Sequence, residues 1–457
     1  MNIKNIANVD NETAKYIKLE TERQKNMLEM IPSENYASKA VLEAVGSVLA
    51  NKYSEGYPRK RYYQGNKYID EIELIAIERA KKLFKVPYVN VQPYSGSPAN
   101  AEIYLALMKP GDTLMGLTLS YGGHLTHGSP VSMSGAVYKG VLYDFGEKGK
   151  IDFDELEKLA LKVKPKIIVA STTAYPRIVD FAKFAKVADK VGAYLLADIS
   201  HIVGLVIGGC HPDPVPYAHV IMTTTHKTLR GPRGAMIMVT QKGLKKDPDL
   251  ADKIDKWVFP GLQGGPHDHV TAGIAVCLKE AGTVAFKRYV KQVVANCKVL
   301  ASELTYYGFD LVSGGTDNHL ILIDTHNKGI NGRLMAIGLE EAGIILNRNW
   351  VPKDEAPPFF PNGIRLGTSA LTSRGMREKE MKKVAAWIHK AVEAMKTLEF
   401  DYKTWVDIAY GQKKDPQKRK RLDSTFYNLI SICPDIKKTA QEIKNFCKRY
   451  PVPGIDF

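Results

Sequence analysis

Tyr194-Leu-Leu-Ala-Asp198 and Val220-Ile-Met-Thr-Thr-Thr-His-Lys227 are two short apolar runs, each leading to a charged side chain. Unbroken runs of this length, without polar alternation, read as strands buried on both faces. The strands are expected at Tyr194–Ala197 and His219–Met222, and similar runs stand at Val89–Val91, Thr113–Leu117, Lys166–Ala170 and Ala235–Val239. Helical patterns lie between them. Ile69, Ile72, Ala76, Ala80 and Leu83 recur at intervals of three and four, and Phe181-Ala-Lys-Phe-Ala-Lys-Val-Ala188 follows a capping Asp180. Strand–helix–strand alternation predicts an α/β fold with a mostly parallel central sheet covered by helices. Such sheets bind ligands just past the carboxyl ends of their strands. Asp198, Lys227 and the turn Ser95-Gly-Ser-Pro-Ala-Asn100 all fall there.

Working outward, the chain has 457 residues, room for two or three domains. The division expected is an N-terminal helical arm over 1–52, a large domain over 53–285 and a smaller C-terminal α/β domain over 286–457. The arm is the polar stretch Asp10–Met30; the small domain holds a strand at His319–Asp324, a helix ending near Gly343 and a Pro-rich loop from Val351 to Pro361. The balance of 44% hydrophobic and 25% charged residues is that of a globular protein. Lys+Arg 64 against Asp+Glu 49 gives +15, a surplus that suits anionic partners without choosing among them. Cys210, Cys277, Cys297, Cys433 and Cys447 are odd in number and never in CxxC spacing, which favours a reducing compartment over a disulfide framework. The N-terminal residues form no signal peptide and no apolar run spans a bilayer, so a cytoplasmic protein without a membrane partner is expected.

Several residues could carry chemistry. Ser95-Gly-Ser97 before a helical run is a phosphate cradle, or simply a capped turn. A lysine at a buried strand end becomes a good amine for a Schiff base. An aspartate at the neighbouring strand end can keep a pyridine nitrogen protonated, which suits pyridoxal phosphate. The plain alternative is a salt bridge from Asp198 to Arg230 or Arg233. His124 with His127, and His267 with His269, lack a third ligand at recognisable spacing, so no metal is expected; His124 could instead stack on a planar ring. Tyr53-Ser-Glu-Gly-Tyr57 with Arg59–Tyr63 is either a pocket loop, with Glu55 as a proton-handling acid, or a stacking surface for nucleic acid. Arg365, inside Gly363–Thr368, is a buried ion pair or a bidentate clamp for a carboxylate. Lys413–Arg421 reads as a solvated basic stretch.

The order and wording of these pieces resemble the serine hydroxymethyltransferase family. Thr223-Thr-Thr-His-Lys-Thr-Leu-Arg-Gly-Pro-Arg-Gly234 is similar to its lysine signature and Asp198-Ile-Ser-His201 to its aspartate motif. The likeness extends through Ile31–Asn35, Lys52–Pro58, Ser95–Asn100, Gly122–Pro130, Gln263–Pro266, Gly363–Thr368 and Pro453–Phe457. It implies a fold-type I pyridoxal-phosphate transferase, aspartate aminotransferase-like, that interconverts serine and glycine with tetrahydrofolate as co-substrate. By matching motifs, Lys227 would carry the cofactor as a Schiff base and Asp198 would pair with its ring nitrogen. His124 would stack on the ring, Gly96 and Ser97 would hold the phosphate, and His201 and Thr173 would lie near the phenolic oxygen. Arg233 is counted with the cofactor contacts. Arg365 and Ser33 would bind the substrate carboxylate, and Glu55 would transfer a proton. Tyr62, Leu119, Gly123, Leu125 and Asn349 would line the folate site. The family shares its sites across a homodimer (or within a tetramer), so Tyr53, Glu55, Tyr63, Gly264 and Gly265 would come from the neighbouring subunit.

The chain departs from the family pattern at four places. Arg59 and Gln64 stand where glycine is usual, and Pro32 and Ser200 where alanine is usual. A side chain in place of glycine is harmless only where φ is negative. Two other readings accompany the main one: a folate-independent aldolase for β-hydroxy amino acids such as threonine, and a catalytically idle nucleic-acid-binding protein. Intact Lys227, Asp198 and Arg365 speak against the second, so nucleic acid is not a required partner.

Overall fold

Seven strands build the main sheet: β1 (Tyr88–Asn90), β2 (Thr113–Leu117), β3 (Lys139–Tyr143), β4 (Ile167–Ser171), β5 (Tyr194–Asp198), β6 (Val220–Thr224) and β7 (Ala235–Val239). They lie in the order β1-β7-β6-β5-β4-β2-β3 in a computed structural model that describes residues 3–146, 149–411 and 414–456. Lys413, at the head of the basic stretch, and Phe457, at the end of the C-terminal motif, lie outside the described residues. Strands β2 to β6 pair in parallel, and β7 runs antiparallel to both its neighbours. Every residue of β4 to β7 is buried, as continuous apolar runs require. β3 is the strand that the sequence reading passes over. It is an edge strand with Lys139 and Gly140 exposed, so it has no apolar run to betray it.

Register decides where the site forms. Asp198, the last residue of β5, is level with Ser171 of β4 and Met222 of β6, so its carboxylate emerges between two interior strands. Helix Gly96–Leu107 packs Ala99, Ile103, Tyr104 and Leu107 into the cluster that also contains Leu114, Val169, Leu196 and Met222. Burying each such side chain contributes about 1.5–3 kcal/mol, which fixes the start of that helix over the strand ends. Helix Phe181–Val191 is bounded as its sequence dictates, with Asp180 accepting from the Lys183 amide at 3.0 Å and Gly192 in the left-handed region after it.

The described residues fall into two units, 37–291 and 1–36 with 292–457. In the second, β8 (Asp310–Leu311), β9 (Leu320–Asp324), β10 (Asn347–Asn349) and β11 (Gly363–Gly367) form an antiparallel sheet in the order β8-β9-β11-β10. The N-terminal segment belongs here because Leu28–Glu29 pairs with Ile344–Ile345. Buried Arg374 adds to this by donating to the carbonyls of Gln24, Lys25, Met27, Cys447 and Tyr450. Asp10 caps helix Asn11–Asn26 through the Thr13 amide at 2.9 Å. Lys418, Lys420 and Arg421 are exposed on helix Pro416–Ile432, as a solvated stretch should be. Among the described residues no helix is long and apolar enough to cross a membrane.

Arg59 takes a conformation that glycine would take more easily. Gly56–Tyr57 pairs with Lys60–Arg61, leaving Pro58-Arg59 as a two-residue turn in which Arg59 has φ +66°. Its amide donates to Asp70 at 2.9 Å and its guanidinium pairs with Glu71, contacts that hold the turn. Arg59→Gly and Arg59→Ala lose the same ion pair but differ in tolerance of positive φ. The glycine variant is therefore expected to be more stable than the alanine variant by about 1 kcal/mol. Chemical denaturation compares them, and equal midpoints would show an unstrained turn.

Candidate active site

The carboxylate of Asp198 is buried and hydrogen-bonded at both oxygens. It accepts from the Ser200 amide at 3.0 Å and from Asn100 Nδ2 at 3.3 Å, and its Oδ2 lies 3.2 Å from His127 Nε2. The salt bridge to Arg230 or Arg233 that the spacing allowed does not form. Arg230 lies instead over the rings of Tyr289 and Phe286, at 4.2 and 5.6 Å from their centroids. Burial alone would push the Asp198 carboxyl up. The hydrogen bond from His127, the charge of Lys227 and the hydrogen bonding of Ser200 outweigh it and hold the group well below the usual carboxylate range. The group is an anion at neutral pH.

Lys227 is buried in the turn that follows β6. Thr228 ties that turn to the segment after β5: its hydroxyl donates to the His201 carbonyl at 3.1 Å and accepts from the Gly204 amide at 3.0 Å. Gly231 lets the turn close, because a Cβ there would lie 2.7 Å from Cys277 Sγ and 2.8 Å from the Thr225 carbonyl. Ser200, the departure from alanine, accepts from the Thr224 amide at 3.0 Å and so fastens the end of β6 to that of β5.

The loop carrying His124 is set by two glycines. Gly122 has φ +88°, and its carbonyl accepts from the Thr173 amide at 2.6 Å; a Cβ on Gly123 would meet the Leu117 carbonyl at 1.8 Å. Asn100 Nδ2 donates to Thr126 Oγ1 at 2.9 Å, and Thr126 Oγ1 lies 2.7 Å from His124 Nδ1, which orients the imidazole. His201 is buried, Thr173 half-buried, and Leu119 and Leu125 lie on this same loop, the latter exposed. Ser97 is exposed in the first turn of its helix. A Cβ on Gly96 would lie 2.8 Å from Thr224 Cγ2, so the helix start rests directly on the end of β6. Two buried polar atoms nearby in sequence to Lys227, Thr224 Oγ1 and His226 Nδ1, have no protein hydrogen-bond partner. Burial, with Lys227 and then Arg233 close by, holds His226 down to about 3, so it is neutral.

A second cluster forms on the Arg59 hairpin. Tyr53 OH donates to Glu55 Oε1 at 3.3 Å, and the Tyr53 and Tyr63 rings meet edge-on at 5.0 Å. Cβ atoms on Gly264 and Gly265 would lie 3.3 Å from Glu55 Oε1 and from the Tyr53 ring. Tyr62 lies edge-on to Phe259 at 5.7 Å. Tyr53, Tyr62 and Tyr63 are all exposed on the single chain. The five residues expected to act together across a dimer, Tyr53, Glu55, Tyr63, Gly264 and Gly265, therefore stand together here.

In the other unit, Arg365 is buried in β11 and donates through Nε to Asn347 Oδ1 of β10 at 3.1 Å. Burial pulls its guanidinium down to about 10; a bound carboxylate would reverse that pull. The Gly367 amide donates to the Met30 carbonyl at 2.7 Å, and a Cβ on Gly367 would lie 3.1 Å from Pro32, which docks the segment carrying Ser33 against the end of β11. Asn349 donates to the Trp350 carbonyl at 2.7 Å.

Sequence reasoning missed Asn100, Tyr104, Thr126, Thr224 and His226, and weighed His127 only as a metal ligand. Asn100 was discoverable: it is a polar amide on a helix whose neighbouring positions pack against the sheet. Among the described residues no three His, Cys, Asp or Glu side chains converge on a metal position.

A mostly parallel α/β sheet with a lysine turn beside an ionised strand end is the arrangement expected of a fold-type I pyridoxal-phosphate enzyme. The donors fit that cofactor on their own terms. An exposed helix start bearing Ser97, with orphaned Thr224 Oγ1 and His226 Nδ1 in the neighbouring turn, suits a phosphate, and Asp198 suits a protonated ring nitrogen. The family model described as serine hydroxymethyltransferase matches residues 6–388. The chain is 52% identical over 444 residues to the serine hydroxymethyltransferase of Acidothermus cellulolyticus, covering 97% of this chain and 96% of that protein. It is 51% identical over 447 residues to that of Desulfotalea psychrophila, covering 98% and 95%. The chain belongs to the serine hydroxymethyltransferase family.

Proposed function

We propose that the chain transfers the hydroxymethyl carbon of L-serine reversibly to tetrahydrofolate, giving glycine and 5,10-methylenetetrahydrofolate, with pyridoxal 5'-phosphate as cofactor. The observation that carries the reading is the ionised, fully buried Asp198 at the end of β5, electrostatically coupled to Lys227. The chemistry supplied by bound pyridoxal phosphate is an electron sink for the pair released when the Cα–Cβ bond of serine breaks. Asp198 holds the proton on the ring nitrogen that makes the sink effective. Lys227 provides the amine that attaches the cofactor and yields to the substrate amine. Gly96 and Ser97 would hold the phosphate with Thr224, His226 and Arg233, while His124 would stack on the ring and Thr173 and His201 would serve its phenolic oxygen.

Ser33 and Arg365 bind the serine carboxylate. Glu55 handles the proton at the substrate hydroxyl, and Tyr62, Leu119, Gly123, Leu125 and Asn349 receive the folate. Tyr53, Glu55, Tyr63, Gly264 and Gly265 serve the site of a neighbouring copy, which accounts for the two exposed tyrosines among them. The five cysteines, odd in number and never in CxxC spacing, support a reducing, cytoplasmic setting.

Purified protein incubated with serine tests the reading: glycine should accumulate with tetrahydrofolate and not without it. Folate-independent cleavage would point to the aldolase instead. Arg365→Ala is expected to raise the serine KM at least about tenfold, because a charge-assisted contact contributes about 1.5–3 kcal/mol. Steady-state kinetics over a wide serine range reads this, and an unchanged KM moves the clamp elsewhere.

A further inference from the structure

Tyr104 lies one helical turn after Asn100 and is completely buried. Its hydroxyl meets His127 Nδ1 at 2.8 Å, and the opposite ring nitrogen of the same histidine lies 3.2 Å from Asp198 Oδ2. The three side chains form one line from the helix to the strand end. Burial pushes the Tyr104 phenol well above its ordinary value, so it keeps its proton. A phenol with one partner has one use for that proton: it donates to Nδ1. Were Nδ1 also protonated, two donors would face each other in a dry core. The single imidazole hydrogen then sits on Nε2, aimed at Asp198.

We propose that Tyr104 is a positioning residue of this site: by donating to His127 Nδ1 it selects the Nε2–H tautomer, and that N–H holds Asp198 Oδ2 in place as an anion. The hydrogen-bond direction rests on the 2.8 Å contact together with the complete burial of a phenol that has this one partner, whereas its catalytic consequence rests on the pyridoxal-phosphate reading above. Asn100 donates to the same Oδ2 and the Ser200 amide to Oδ1, so loss of the His127 donor leaves Oδ2 held by Asn100 alone.

The test uses the purified holoenzyme with ¹⁵N-labelled histidines and long-range ¹H–¹⁵N correlation, with His127→Gln identifying the His127 signals. The wild-type ring should show an unprotonated Nδ1 and a protonated Nε2. In Tyr104→Phe, which keeps the ring volume, Nδ1 should take up a share of the hydrogen and the cofactor's visible band should shift. For that variant kcat should fall on the order of tenfold, the scale seen when a partner that orients a ligating histidine is removed, with the serine KM within about twofold. The double variant Tyr104→Phe/His127→Gln should be no slower than His127→Gln, because both act through one hydrogen-bonded line. A protonated wild-type Nδ1, an unchanged His127 spectrum in Tyr104→Phe, or losses that multiply in the double variant would each overturn the assignment. A folded holoenzyme without a cofactor band would sink the functional reading, and the wild-type ring spectrum would still decide the hydrogen-bond direction.

Discussion

Lys227→Ala is expected to fold, to lose every trace of covalently held cofactor and to form glycine from serine at least about a thousandfold more slowly, the scale on which a missing nucleophile is felt. The reasoning starts from the turn and not from the motif. Lys227 is buried, its backbone is pinned by Thr228 and by the Thr225–Gly231 hydrogen bond, and its charge helps to keep Asp198 ionised. Alanine preserves the pinned backbone, so the fold survives. It removes both the amine and one of the influences that hold Asp198 down. Borohydride reduction followed by peptide mapping measures the outcome: in the parent protein the reduced adduct should lie on Lys227, and in the variant no adduct should form. A reduced adduct on any other lysine would remove Lys227 from its role. The aldolase reading needs the same amine, so this variant silences both, and only the folate dependence of the parent separates them.

The backbone arrangement was largely legible because interior strands have to be apolar throughout. β2, β5 and β7 announce themselves, and β1, β4 and β6 are displaced by only a residue or two. The pairing of Leu28–Glu29 with Ile344–Ile345 left no such mark, since a two-residue strand carries no periodicity. The site was legible in part. Residues whose type is unusual for their place, such as a lysine at a strand end or an arginine within a buried strand, drew attention. Residues that support them did not: Tyr104 and Thr224 have the types a core or a strand would carry in any case. The Arg59 question was posed by the sequence and answered by a dihedral angle that no composition reveals. Contacts such as His127 with Asp198, separated by 71 positions, belong to the topology.

Glu102→Gln is expected to make the protein markedly more resistant to alkaline unfolding. Glu102 is completely buried in helix Gly96–Leu107, and neither carboxyl oxygen has a protein hydrogen-bond partner. Burial pushes its carboxyl up to about 8 from an ordinary 4.5. The folded chain therefore keeps this proton between those values while the unfolded chain gives it up. Stability from the neutral group is fully present below about 4.5 and is lost as pH rises towards 8, at roughly 1.4 kcal/mol per pH unit. The cumulative loss by pH 8 is on the order of 4 kcal/mol, and glutamine, neutral at every pH, avoids it. Glu29 is pushed to about 8 by burial and by Glu34, so it continues to weaken the variant over the same range. His219 and His226, held down to about 4 and about 3, act oppositely: protonation of the unfolded chain below about 6.5 erodes stability on the acid side in both proteins. The two proteins should thus have similar denaturation midpoints near pH 5 and diverge steadily towards pH 8.5, the parent losing more stability than Glu102→Gln. Parallel profiles across that range would mean that the carboxyl finds a partner in solution, and the buried neutral acid would have to be abandoned.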